Sequence, residues 1–366
     1  MNPGPRQEPS TSSLPWWGEA ALIGIGSRLF AVGILVTVFT VHYARAHRSW
    51  PSPFAIWDGF WFLHIAGTGY HAEAVVKTAY GIGYHDFAFF PAWPAVIRVL
   101  TLNGLLPFDA MAAIGANVLF VLASIPVYRV LERVGGAAYA RLGLVLFAFS
   151  PAAYVFSLDY SEPLFILFAA LFFLASSPAR SGVAAALAMF TRLAGVALAA
   201  ASVADLFRPE TRWRGAASIA AVAFAFALWW AFIARLTGEP MGYMQGSPSW
   251  YAAEKVPQPL GFGALFGETQ PWGVLVTLYL FVLVAGAAQL IRAGELRLGF
   301  FGIACVGSAI LVALTTMPRL ASVAFPVFGG LGALMPTRAA RLALVAAFAS
   351  FEALSASLAV LHVSVP

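Results

Sequence analysis

The sequence predicts an all-α, polytopic membrane protein of about 9 to 11 transmembrane or partly inserted helices with a long first loop outside the membrane. Three observations predict it. Of 366 residues, 61% are hydrophobic and only 10% are charged, where soluble domains carry about 25%. Apolar runs near the ~20 residues needed to cross ~30 Å of hydrocarbon recur along the whole chain. The cations, mostly arginines, stand singly or in small groups between those runs. Despite the formal net charge of +5, that pattern marks topology and not a nucleic-acid groove.

Taken in order, residues 1–17, rich in Pro and Ser up to Pro15, read as a disordered cytoplasmic tail. Residues 18–366 then form one integral-membrane domain. The first run is Ala20 to Tyr43. Within it, Arg28, the stretch Leu29 to Val41 and the following Ala44-Arg45-Ala46 have the shape of a signal peptide, but a chain with so many later spans needs only an uncleaved first anchor. Further runs are Ala88 to Leu106, Asp109 to Val130, Tyr139 to Phe156, Pro163 to Ala175, Gly182 to Val203, Ala216 to Arg235, Trp272 to Ile291, Leu298 to Thr315, Leu320 to Met335 and Leu342 to Val363. Two long polar stretches separate them, a first loop at 44–94 and a second at 237–271.

Orientation follows from the connecting cations. A cytoplasmic N-terminus puts Arg6, Arg129, Arg133, Arg141, Arg180, Arg208, Arg212, Arg214, Arg292, Arg297, Arg338 and Arg341 on the inner side, against Arg45, Arg48, Lys77 and Lys255 outside. The same parity forbids a simple crossing by Ala88 to Leu106, which is expected to lie in or dip into the outer face. It also makes Gly182 to Val203, interrupted at Thr191-Arg192-Leu193-Ala194-Gly195, a hairpin of two half-helices with Arg192 near its tip.

Chemistry concentrates in the first loop, where Asp58, His64, His71, Glu73, His85 and Asp86 stand among aromatics. Ionisable groups between spans are costly and usually functional. The turn Ser157-Leu158-Asp159-Tyr160-Ser161-Glu162-Pro163 and the span end Met317-Pro318-Arg319 share the outer face. An outer cavity built from these pieces is acidic and aromatic, with one or two arginines. Cys305 lies in an apolar run and reads as packing. No Asp-x-Asp and no strong His/acid ligand spacing occurs, so no metal and a metal-independent reaction are expected. No glycine loop for a nucleotide phosphate is evident, and no inverted repeat marks a transporter.

The order Trp57-Asp58, Phe62-Leu63-His64-Ile65-Ala66, Gly69-Tyr70, then His85-Asp86-Phe87-Ala88-Phe89-Phe90-Pro91 and Trp93-Pro94 resembles the first-loop signature of the PIG-V mannosyltransferases, membrane enzymes of the GT-C class with bacterial relatives. Asp159-Tyr160-Ser161-Glu162-Pro163 resembles the small acidic turn of that class. Leu187 to Gly195 resembles its hairpin, and Pro318-Arg319 with Phe325-Pro326 resembles its late arginine segment. A length of 366 residues is short for eukaryotic members. Together with an Ala- and Arg-rich composition, it points to a bacterial plasma membrane.

The resemblance implies transfer of mannose, or a related hexose, from a polyprenyl-phosphate donor to a lipid-linked or glycan acceptor on the extracytoplasmic face, with inversion at the anomeric carbon and no cofactor. Asp58 is the candidate base for the acceptor hydroxyl; a plain helix cap is the alternative. Arg319, then Arg192, then His85 are candidates for the donor phosphate, although arginines at span ends also snorkel. Trp61, Tyr84, Asp86 and Trp93 are candidates to line the sugar subsite, or to belong to an interfacial belt, and Trp57 is a further substrate-binding candidate. His64, like His85, is a candidate to contact the donor phosphate or acceptor hydroxyls or to tune Asp58, with an ordinary hydrogen-bonded histidine as the alternative. Asp159 and Glu162 are read as acceptor contacts or as groups that orient Arg319, with a solvated turn opened by Pro163 as the alternative. A carrier or flippase for a lipid-linked sugar, or a catalytically idle assembly partner, would share the same outer cavity.

Overall fold

The computed structural model describes residues 14–46, 52–77, 83–246, 272–312 and 317–361. Most of the second loop, the first thirteen residues and Lys255 lie outside these residues. The helices in chain order are α1 (Trp16–Ala46), α2 (Asp58–Thr68), α3 (Ala92–Leu100), α4 (Phe108–Ala148), α5 (Glu162–Leu174), α6 (Pro178–Thr191), α7 (Val196–Leu206), α8 (Arg212–Thr237), α9 (Gly242–Gly246), α10 (Trp272–Arg292), α11 (Leu296–Val312), α12 (Met317–Ser322), α13 (Pro326–Ala333) and α14 (Arg338–Val360). The strands among the described residues are β1 (Val76–Lys77) and β2 (Gly83–Tyr84), an antiparallel pair in the first loop. By length and composition, α1, α4, α8 and α14 can cross a bilayer; α5, α10 and α11 are shorter apolar helices beside them. The chain is an integral membrane protein.

Reversals inside the apolar runs give the bundle its shape. Gly136 in α4 has φ 80°, a conformation that only glycine adopts without strain, and the chain doubles back there. The Phe120 and Phe147 rings on the two arms lie 5.7 Å apart, impossible in a straight helix of that length. The two arms on either side of Gly136 correspond to the predicted spans Asp109 to Val130 and Tyr139 to Phe156. The second arm ends at Ala148 instead of running on to Phe156, since residues 153–157 form a short 3-10 turn. Leu320 to Met335 is likewise not one span but α12 and α13, broken before Pro326, which lacks the N–H a continuous helix requires. At the start, α1 already includes Trp16 and Trp17, which the sequence assigned to the tail.

Two other expectations appear directly in the geometry. Helix α3 has nine residues, about 13 Å of rise, too short to cross. Helices α6 and α7 form a hairpin, because the start of α6 and the end of α7 both sit on the first turns of α8. Ser181 meets Ser218 at 2.9 Å, and Arg214 pairs with Asp205 at 3.0 Å. Arg192 therefore stands at the tip. An aromatic core of Phe120, Phe147, Phe156, Phe325 and Phe328 joins both arms of α4 to α13. Besides the buried Arg28 of α1 and Glu352 of α14, the ion pairs gather in two groups. Glu19, Arg141, Asp205, Arg214 and Arg297 pair at one end, while Asp58, Glu162, Arg192 and Arg319 meet at the other.

Candidate active site

The site is built where three chain reversals converge. At Trp57 the backbone takes φ 52°, a left-handed conformation that costs a non-glycine residue about 1–3 kcal/mol. The turn is held from both sides: the Trp57 indole N–H donates to the carbonyl of Ala359 at 3.3 Å, and the Asp58 backbone N–H donates to the Tyr160 hydroxyl at 3.3 Å. Asp58 thus becomes the first residue of α2. The N-cap position falls to Trp57 and not to Asp58. The Asp58 Oδ2 accepts from Nη1 of Arg319 at 2.5 Å.

Arg319 divides its guanidinium between two carboxylates, since its Nε donates to Glu162 Oε1 at 2.8 Å. The same Glu162 oxygen lies 2.5 Å from Nη1 of Arg192. The result is a chain of alternating charge, Asp58 to Arg319 to Glu162 to Arg192, two anions and two cations. Burial is graded along it. Glu162 is fully buried, Arg319 and Arg192 nearly so, and Asp58 is 28% exposed, so the network opens to solvent at Asp58. Charges at this depth persist only when paired. The hairpin tip can carry Arg192 because the backbone there is extended and Gly195 folds in under Met189. A Cβ on Gly195 would lie 2.5 Å from the Met189 Cα.

Tyr160 was not singled out from the sequence, yet it organises the centre. Its ring lies under the Arg319 guanidinium, 4.1 Å from Cζ, and its hydroxyl donates to the Ile56 carbonyl at 3.2 Å while accepting from Asp58. Burial holds this phenol well above its ordinary range. The available signal was its place inside the acidic turn, flanked by Asp159 and Glu162. That turn is not solvated, because Asp159, Tyr160 and Glu162 are all buried. Glu162 takes the orienting place beside Arg319. Asp159 points elsewhere: neither carboxylate oxygen has a hydrogen-bond partner, and burial, followed by the charge of Asp109, pushes its carboxyl well above the carboxylate range. Its backbone N–H donates to the Phe54 carbonyl at 3.1 Å and its carbonyl accepts from the Trp93 indole at 3.0 Å, tying the turn to the first loop.

The remaining predicted residues separate into three places. Trp61 stacks on Phe89 at 5.8 Å with Tyr84 beside it at 6.5 Å, an aromatic wall on the loop side of α2. Trp93 is fully buried, so its ring braces the turn and offers no face to a sugar. His64 and Asp86 meet His71 in a second polar cluster: Asp86 Oδ2 accepts from the His71 backbone N–H at 3.0 Å and lies 2.8 Å from its ring Nδ1, and the two imidazoles are 5.2 Å apart. His85 packs against Phe87 at 4.5 Å. Burial lowers the pKa of both His64 and His85, with the neighbouring His71 adding to the effect at His64 and Asp86 opposing it at both. An apolar cleft of about 230 Å³, lined by Tyr70, Pro91, Phe190, Leu228, Trp229 and Phe232, runs between the first loop, the hairpin near Arg192 and α8.

Comparison with known proteins agrees with the first-loop reading. Residues 34–207 match the family model described as mannosyltransferase (PIG-V); Asp58, Glu162 and Arg192 fall inside that match and Arg319 beyond it. No curated protein matches the chain. Among solved structures it is similar to the oligosaccharyltransferase of Archaeoglobus fulgidus in its apo form, with 11% identity over 90% of this chain and 56% of that one and a TM-score of 0.48. It is also similar to that enzyme tethered to an acceptor peptide containing the NVT sequon, with 13% identity, 91% and 55% coverage and a TM-score of 0.47. A third is the archaeal oligosaccharyltransferase AglB of the same organism with an inhibitory peptide and a dolichol-phosphate, with 12% identity, 94% and 55% coverage and a TM-score of 0.44. The chain spans just over half the length of these structures.

Proposed function

With residues 34–207 carrying the mannosyltransferase (PIG-V) match, we propose that this chain is an integral-membrane glycosyltransferase. It moves mannose or a related hexose from a polyprenyl-phosphate donor to a lipid-linked or glycan acceptor at the extracytoplasmic face of a bacterial plasma membrane. The observation that carries the reading is the ion chain that ends, at its solvent-facing edge, in Asp58 held by Arg319.

The chemistry follows from those two groups. The acceptor oxygen attacks the anomeric carbon as its proton passes to the Asp58 carboxylate, which lies at the start of a helix where an anion is favoured. The bond from that carbon to the donor phosphate breaks on the opposite face, and the phosphate leaves with the electron pair. One displacement inverts the anomeric centre. The leaving phosphate gains negative charge, and cations already aimed at it lower the barrier; Arg319 and Arg192 supply them, and the reaction as proposed calls on no cofactor. Glu162 and Tyr160 act as positioning residues that hold both guanidiniums before the donor arrives. Trp61 and Tyr84 line the sugar side, and the apolar cleft beside the hairpin accepts the first isoprene units of the carrier lipid.

Purified protein in liposomes tests this against the carrier reading. A labelled polyprenyl-phosphate hexose supplied with a membrane lipid extract should yield a new hexose-bearing product. Movement of the labelled lipid across the bilayer without acceptor, and without product when acceptor is present, would establish a carrier instead. Mass analysis of membranes from a deletion strain, looking for a lipid short of one hexose, identifies the acceptor.

A further inference from the structure

The second polar cluster of the first loop has a chemistry of its own, and it stands whether or not the chain transfers sugar. His64 lies six residues into α2 from Asp58, about 9 Å along the helix, on the side away from the arginines. The loop after α2 brings His71 and then Asp86 back over that face. Each of the three offers a ligand atom, and these atoms all lie within 4.8 Å of one another.

A zinc ion with bonds of about 2.0–2.1 Å in tetrahedral geometry sets its ligands about 3.4 Å apart. Small rotations of two imidazoles close that gap. The Asp86 carboxylate is already fixed, because Oδ2 accepts from the His71 backbone N–H at 3.0 Å. Its second oxygen, Oδ1, is buried and has no hydrogen-bond partner, a state that otherwise costs about 1–3 kcal/mol and calls for an explanation. His71 is 43% exposed, which leaves a path for an ion and room for a water on the open side. Two imidazoles and one carboxylate are the donor set of open zinc sites and suit the first-row divalent ions.

We propose that His64, His71 and Asp86 form a divalent transition-metal site, filled by zinc, that clips the first loop onto α2. The ion ties residues far apart along the loop to one helix face, and it lies too far along α2 to touch the atoms that react at Asp58. Its role is to hold the wall formed by Trp61 and Tyr84 in register with that helix.

Tag-free, full-length protein in detergent, stripped with a chelator and titrated with Co²⁺, tests the site by a signal independent of turnover. The expected result is one equivalent of Co²⁺ with the visible d–d bands of a four- or five-coordinate ion, displaced by Zn²⁺, with affinity at least ~10-fold lower in both His64→Ala and His71→Ala. His42→Ala should leave the spectrum unchanged. Failure of the wild-type protein to take up Co²⁺ overturns the proposal, and so does uptake that survives undiminished in either variant. His71 lies partly in solvent, so a melting temperature of the metal-free His71→Ala protein equal to that of metal-free wild type excludes misfolding as the cause of lost binding.

Discussion

Replacing Arg319 by lysine keeps the charge and removes the fork, and it separates geometry from charge at the centre of the site. The guanidinium reaches Asp58 through Nη1 and Glu162 through Nε while lying 4.1 Å over the Tyr160 ring. An ammonium is a point charge that reaches one carboxylate at a time and stacks less well. With Glu162 the more deeply buried partner, the lysine stays with it and the contact to Asp58 is lost. A hydrogen bond between charged groups contributes about 1.5–3 kcal/mol, taken at its lower end because Asp58 is partly solvated. The lost stacking adds about 1 kcal/mol. These contacts aim the cation at the leaving phosphate, so the sum of about 2–3 kcal/mol falls on the transition state and lowers kcat/KM by about 30- to 150-fold. The assay is initial-rate hexose transfer in detergent, run beside thermal unfolding. A lysine variant within about threefold of wild type in kcat/KM would refute the claim that the fork matters.

Four other outcomes follow. Tyr160→Phe keeps the ring under Arg319 but leaves the Asp58 N–H without its partner and the Ile56 carbonyl with the Gly59 N–H alone; loosening of α2's first turn should cost about 1–3 kcal/mol of stability, read as a lower melting temperature, and unchanged melting and rate would contradict it. Glu162→Gln strands two buried guanidiniums and should destabilise by about 3–5 kcal/mol, whereas a fully stable variant would show that Glu162 is not the bridge. Asp159 has a folded-state pKa above its unfolded value, so the folded state holds the extra proton. Stability from this group is complete below the ordinary carboxylate range and is lost as pH rises from there toward the folded pKa. Asp159→Asn should therefore melt higher than wild type at neutral pH with a shallower pH dependence, and identical profiles would contradict the shift. Gly195→Ala forces the hairpin tip away from Met189; it should cost about 1–3 kcal/mol and reduce transfer through Arg192, measurable as a raised KM for the donor.

Much of this architecture was legible because the bilayer imposes simple rules on sequence. Run length and arginine placement sufficed for an α3 that does not cross and for the α6–α7 hairpin, since each loop must respect charge parity. Ordered matches across Trp57 to Pro94 pointed to the same segment that the family model covers. Residue pairings were less accessible. That Glu162 would bridge both arginines depends on three chain reversals meeting at one point, and no spacing encodes that. Tyr160 looked like one more aromatic among many. His64, His71 and Asp86 are separated by a loop whose folding back creates their proximity, so their spacing matched no ligand pattern. The break before Pro326 was signalled by a residue that also occurs inside ordinary membrane helices.

A single-turnover measurement with Asp58→Asn bears most directly on the role of the aspartate. The substitution keeps the shape of the side chain, removes the base and frees Arg319 from its nearest anion. Donor binding should stay equal or tighten, while transfer of the bound hexose slows by about 10²- to 10⁴-fold. Transfer at the wild-type rate from the bound donor, or a loss explained wholly by failure to bind donor, would contradict the account.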